Sequence, residues 1–147
     1  MPTATTDKIV ITYADLESAE SGIDCRFIII GKRGLKCYRC HNERDRHYRY
    51  QTDLADCNDA PDTYGCVDVE LTDGSVLYAY WTEIAVCASE VYATDYSNPK
   101  RQTDTDDLMG RLESAGYDWN DDHVGNWGYV KRNGRDDHPV LIDCPGY

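Results

Sequence analysis

Residues 67–81 constrain the fold more than any other part of the chain. Val67, Val69 and Leu71 alternate with Asp68 and Glu70; Thr72-Asp73-Gly74-Ser75 breaks the pattern, and Val76 begins a second apolar and aromatic run that ends at Trp81. Strict alternation marks a strand with one face buried, and Asp-Gly between two such runs marks a two-residue type I′ hairpin turn. In that register Leu71 faces Val76, Val69 faces Tyr78 and Val67 faces Tyr80, with all six side chains on one face. A chain that spends fifteen residues on an antiparallel hairpin is building a sheet.

The flanking segments supply the rest. Residues 8–13 form a β-branched run, and residues 26–31 (Arg-Phe-Ile-Ile-Ile-Gly) read as a buried strand ended by glycine. Trp81, Ile84, Ala85, Ala88, Val91 and Tyr92 recur at helical spacing, which predicts a helix over residues 82–94. The polar run before Thr105 reads as a loop. A second helix is expected to open on Thr105 as its cap, bury Leu108, Met109, Leu112 and Ala115, and stop at Gly116. Trp127, Tyr129 and Lys131 lead into an Asn133-Gly134 turn, with residues 140–144 returning beyond it. Residues 32–63 show no period and are expected to be an irregular excursion, long enough to need something that pins it. The expected architecture is α+β: a small antiparallel sheet built of hairpins, two helices and that excursion, as one domain over residues 1–147 with a single weak boundary at 95–105.

Only 26 of the 147 residues are Leu, Ile, Val or Phe, so twelve Tyr and three Trp must supply much of the core. The formal charge is −12, from 27 acidic and 15 basic residues, and twenty of the acids are Asp. Such a charge excludes a protein that coats DNA or an anionic membrane through its bulk field. The N-terminal residues carry neither a basic region nor an apolar one, no window is apolar enough to span a bilayer, and Pro145-Gly146 spoils Cys144 as a prenylation signal. The expected location is the cytoplasm, that of a host if the protein is viral.

The charge is unevenly spread. Lys32, Arg33, Lys36, Arg39, Arg44, Arg46 and Arg49 fall within eighteen positions, opposed there only by Glu43 and Asp45, and Tyr38, Tyr48 and Tyr50 are interleaved. The island is +5 and the remaining chain −17. Arg39, Arg44, Arg46 and Arg49 could grip phosphates while Tyr38 and Tyr48 stack on bases. The plainer account is that the arginines pair with the protein's own surplus carboxylates.

Cys37-Tyr-Arg-Cys40 lies inside the island, followed by Cys57 and Cys66. Four thiolates so drawn could surround a tetrahedral zinc, although the second pair is too widely spaced for the usual knuckle, and such a site would pin the excursion. An odd count of seven cysteines in a reducing compartment argues against a disulfide framework. Cys37 to His41 also fits the haem-attachment pattern Cys-x-x-Cys-His, but haem attachment belongs to exported proteins.

No nucleophile, base and orienting group can be assembled from these residues, so the chain reads as non-catalytic. Asp53, Asp56, Asp59 and Asp62 recur every third residue, and Asp121-Asp122 and Asp136-Asp137 add two acidic pairs. The pattern lacks the glycine of a calcium loop and reads as a solvated acidic edge. Those eight carboxylates could imitate a phosphate backbone and occupy the groove of a basic nucleic-acid-binding protein; in character, though by no motif, such a chain resembles the small acidic phage-encoded blockers of restriction and CRISPR systems. The sequence favours that expectation over two others: a zinc-stabilised nucleic-acid-binding module that uses the island at 32–50, and a sponge for an anionic nucleotide.

Overall fold

The structure is a computed structural model that describes residues 9–12, 20–21, 26–93, 95, 97–117 and 126–142. In chain order the elements are β1 (Ile9–Ile11), β2 (Glu20–Ser21), β3 (Arg26–Ile30), β4 (Arg33–Tyr38), α1 (His41–Asp56), β5 (Thr63–Leu71), β6 (Val76–Thr82), β7 (Val86–Cys87), α2 (Ala88–Tyr92), α3 (Pro99–Ser114), β8 (Trp127–Arg132) and β9 (Arg135–Leu141). They form a six-stranded sheet in the order β1-β5-β6-β4-β3-β2 and a three-stranded sheet in the order β7-β8-β9. The α+β class stands, but the larger sheet is mixed rather than antiparallel, because β1 runs parallel to β5.

The chain divides into two compact units. Residues 1–50, 62–83 and 146–147 form the first, and residues 51–61 and 84–145 the second. The 95–105 stretch, expected to be a loop, carries the start of α3 instead. Asn98 caps that helix by accepting from the Lys100 N–H at 2.9 Å, with Pro99 in the first turn. Thr105 is therefore an interior, buried residue whose hydroxyl donates to the Arg101 carbonyl at 2.7 Å, not a cap.

In the first unit the β5–β6 hairpin forms where expected but one residue out of the expected register. Val69 pairs with Leu77, Asp68 with Tyr78, Val67 with Ala79 and Cys66 with Tyr80. The turn explains the shift. The Gly74 N–H donates to the Leu71 carbonyl, the Leu71 N–H donates to the Ser75 carbonyl, and Gly74 has a φ of 89°, which makes a three-residue loop of the bulged kind rather than a two-residue one. Since side chains alternate, a one-residue slip reverses the face on which β6 meets β5. Val67, Val69 and Leu71 now share a face with Leu77, Ala79 and Trp81, and pack with Ile11, Leu35 and Cys37 as the core of this unit. Tyr78 and Tyr80 move to the other face.

The excursion expected at 32–63 is mostly regular: β4, then the sixteen residues of α1, then β5. Its period was hidden because polar residues occupy the inward positions. His47, Gln51 and Leu54, spaced i, i+4 and i+7, are the buried stripe of α1. The helix expected at 82–94 also yields. β6 continues to Thr82, which pairs with Gly34 of β4 and Thr63 of β5; β7 follows at 86–87, and only Ala88–Tyr92 is helical. Pairing on both sides of Thr82 overrides the local helical spacing.

In the second unit, Leu108 and Leu112 of α3 and Ala88 and Tyr92 of α2 pack on Trp127, Tyr129 and Leu141. The β8–β9 hairpin turns at Asn133 and Gly134, both with positive φ (54° and 78°), as a type I′ turn requires. The returning strand runs over residues 135–141, earlier than expected, and Cys144 lies outside the described residues.

Candidate functional site

The reversed face of the larger sheet presents side chains in cross-strand rows. Asp68, Tyr78 and Tyr38 form one, from β5 through β6 to β4; Cys66, Tyr80, Lys36 and Phe27 form the next. The N-terminal half of α1 seats on these rows through aromatic contacts. His47 stacks on Tyr38 with ring centroids 4.8 Å apart, Tyr48 meets Tyr80 edge-on at 5.3 Å, and His41 meets Tyr78 edge-on at 5.7 Å. Tyr38 is only 3% exposed and Tyr48 is half-buried, so the two tyrosines expected to stack on bases serve instead as the seat of the helix.

The arginines divide sharply. Arg44 points inward: its Nη1 donates to the Ala79 carbonyl at 3.2 Å and lies 3.7 Å from Asp68, while its Nε bonds Asp45 at 2.6 Å. Arg39, Arg46 and Arg49 are exposed, and among the described residues none has a hydrogen bond or ion pair. The account in which the island is neutralised by the protein's own carboxylates therefore holds for Arg44 alone among the four. Arg33 lies over the Tyr64 ring at 3.9 Å, and Lys36 is buried beside Tyr80.

At 100° per residue, Asn42, Arg46, Arg49, Asp53 and Asp56 fall on one outward stripe of α1, and all five are exposed. Arg46 and Arg49 lie in the middle of the helix, beyond reach of the end charges of its dipole, whereas Asp53 and Asp56 occupy the last turn, where carboxylates are disfavoured and which has no basic residue.

The eight candidate acids do not form one face among the described residues. Asp53 and Asp56 are exposed, but the chain turns at Asn58 (φ 61°) and carries Asp59 inward, 2% exposed, onto the guanidinium of Arg111. Asp62 is half-buried, its backbone N–H donating to the Glu83 carboxylate at 3.0 Å. Asp136 is exposed, whereas Asp137 pairs with Lys100 at 3.2 Å and Arg135 at 3.3 Å; Lys100 holds its carboxyl below the usual carboxylate range. Asp121 and Asp122 lie outside the described residues.

Nor do the cysteines assemble. Cys37 is buried in the core on the opposite face of the sheet; Cys40 is half-buried, and Cys57 and Cys66 are exposed. Although Cys66 is exposed as a residue, partial desolvation of its thiol raises the pKa above the ordinary value, with Arg44 acting against the rise. Among the described residues no group of three or more His, Cys, Asp or Glu side chains stands ready to hold a metal, so zinc pinning finds no support. The order of residues 32–63 comes from strand pairing and from the seat of α1.

Two constellations in the second unit gave no signal in the sequence. Arg111 donates to Asp59, to the Asn58 and Pro139 carbonyls at 3.1 and 2.6 Å, and to Asp107 at 3.2 Å. It lines a shallow cavity of about 600 Å³ with Cys57, Asp107 and Ser114, but its donors are engaged within the protein. Tyr129 donates to Asp104 at 2.6 Å and shares a short hydrogen bond with the Tyr92 hydroxyl, and Lys100 bonds the same Asp104 oxygen at 2.7 Å. Both tie elements distant in sequence, which spacing alone does not reveal. Among the described residues no helix is long and apolar enough to cross a membrane. The chain matches no protein-family model and no curated protein.

Proposed function

We propose that this protein is a non-catalytic binding module that grips the phosphates of single-stranded nucleic acid through Arg39, Arg46 and Arg49. One observation carries the reading: in a chain with 27 carboxylates, these three arginines are exposed without an ion pair among the described residues. Arginine forks suit phosphate oxygens, and contacts of this kind bind without reading sequence. The burial of Tyr38 fits that reading, since no base-stacking platform is left there. A single strand suits the −12 charge better than a duplex, whose two strands put about one charge per 1.7 Å of axis against the acidic body. The test is an electrophoretic shift at low salt with a short single-stranded RNA or DNA. Binding that is lost in R46E/R49E supports the reading; no shift with the native protein refutes it.

A second reading keeps the acids as the binding element. The unit of residues 51–61 and 84–145 carries fifteen acidic residues against six basic, which supports capture of a basic nucleic-acid-binding protein. Asp106 and Glu113 on α3, with Asp53 and Asp56 on α1, are among its exposed helical carboxylates and would meet such a partner. Capture of a purified basic nucleic-acid-binding domain that survives R46E/R49E but not D106K/E113K would favour it over the first.

A further inference from the structure

We infer that Asn133, at the tip of the β8–β9 hairpin, is a site of spontaneous deamidation in the folded protein, whereas Asp73, before Gly74 in the β5–β6 turn, is held against the corresponding isomerisation. Of the six asparagines only Asn133 precedes a glycine. Glycine has no Cβ to shield its main-chain nitrogen, and that nitrogen is the nucleophile. Having lost its proton to solvent, the Gly134 nitrogen attacks Asn133 Cγ. The bond from Cγ to the side-chain nitrogen breaks, ammonia leaves with a proton from solvent, and a cyclic imide remains. Water opens the imide at either carbonyl, giving an aspartyl or an isoaspartyl residue at position 133.

Both reacting groups are accessible. Asn133 and Gly134 are exposed, and among the described residues neither the Asn133 side chain nor the Gly134 N–H makes a hydrogen bond. The attack requires Asn133 to leave its turn conformation (φ 54°), so the tip must open. The ladder beneath it makes that opening local: its register shifts between Val130 and Arg132, which sets the Arg132–Arg135 pair apart from the regular pairing below.

The Asp73-Gly74 turn has the opposite arrangement. The Gly74 N–H donates to the Leu71 carbonyl at 2.8 Å, which ties down the nucleophile. The Asp73 carboxylate accepts from the Ser75 N–H at 2.9 Å and from the Ser75 hydroxyl at 2.6 Å, which ties down the group it would attack. An ionised carboxylate is also a poorer electrophile than an amide. The two products at 133 differ in their effect. Asp-Gly suits the same type I′ turn, whereas isoaspartate adds a methylene to the main chain between Arg132 and Arg135, so the two-residue loop no longer closes that pair.

The experiment keeps the native protein and N133G in warm, mildly alkaline buffer, folded and in urea, and follows each asparagine and Asp73 by peptide mapping with mass spectrometry. N133G retains a residue that adopts positive φ and removes the reacting amide; circular dichroism checks that its fold is kept. In the folded native protein Asn133 should convert ahead of every other asparagine and within about tenfold of its rate in urea, which corresponds to a local opening of about 1.4 kcal/mol. Asp73 should form isoaspartate in urea and be slowed by more than that factor in the folded protein. Total isoaspartate, labelled by enzymatic methyl transfer to its free carboxyl, should fall to background in folded N133G. Asn133 slowed more than about tenfold by folding, or isoaspartate that persists in folded N133G, overturns the inference at Asn133. Equal conversion of Asp73 in the two states overturns its protection.

Discussion

The Arg44 guanidinium donates to the Ala79 carbonyl oxygen at 3.2 Å, from the first turn of α1 to the middle of β6. With Asp68 at 3.7 Å and the Tyr78 ring at 5.8 Å, this contact makes Arg44 the arginine that docks the helix, while Arg46, two residues on, faces solvent. The two should behave oppositely. R44A leaves a carbonyl and a partly buried pair unserved and should destabilise the fold by about 1–3 kcal/mol. R46A removes an exposed charge and should stay within about 0.5 kcal/mol of the native protein. Urea unfolding of both variants checks the difference, and equal losses would contradict it.

Arg111 closes the turn that follows α1 by holding buried Asp59 and the Asn58 and Pro139 carbonyls. R111A strands a buried carboxylate and should cost about 3–5 kcal/mol, the range for breaking a buried pair from one side. D59N/R111M removes both charges and should recover part of that loss. A double variant as unstable as R111A would mean that the pair is not what holds the turn.

Tyr129 is buried and donates to Asp104, and both circumstances push its hydroxyl far above the ordinary tyrosine range. Its folded pKa is raised above the unfolded value near 10, so the folded state keeps a proton that the unfolded state gives up. The stabilisation is complete below about pH 10 and is lost progressively as pH rises beyond it. The urea midpoint should therefore fall between pH 9 and pH 11, and Y129F should fall less steeply over the same window. Parallel slopes in the two proteins would show that Tyr129 is not responsible.

Residues 32–63 are ordered by β4, α1 and β5, and among the described residues no metal-binding group stands beside them. Excess EDTA should leave the far-ultraviolet spectrum and the Tm of the purified protein unchanged. A fall of several degrees, restored by zinc, would return Cys37, Cys40, Cys57 and Cys66 to consideration as ligands.

Much of the sheet was legible because its signals are local. The Asn133-Gly134 turn, the alternation of residues 67–71 and the apolar run of β3 each fix a strand from a few neighbouring residues, although β3 is not the buried strand expected, since Ile29 and Ile30 are exposed. What failed was non-local or chemically disguised. The slip of β6 by one residue depends on whether Asp73-Gly74 makes a two- or three-residue loop, and that choice decides which face carries Tyr78 and Tyr80. Helix α1 was hidden because His47 and Gln51 fill positions where a period of apolar residues would be sought. Of the site, the island was visible as composition; which arginine turns inward was not, because it depends on α1 meeting β6. The even spacing of Asp53, Asp56 and Asp59 suggested one acidic edge, and the positive φ of Asn58 sends the last of them inward.

The central claim is most directly tested by the salt dependence of single-strand binding. Anisotropy titrations of a labelled 12-nucleotide single strand between 20 and 200 mM salt count the phosphates engaged, at about −0.7 in log K per log salt for each contact. Arg39, Arg46 and Arg49 predict a slope of about −2, falling toward zero in R39E/R46E/R49E. No binding by the native protein at 20 mM salt, or a slope unchanged in the triple variant, would contradict the account.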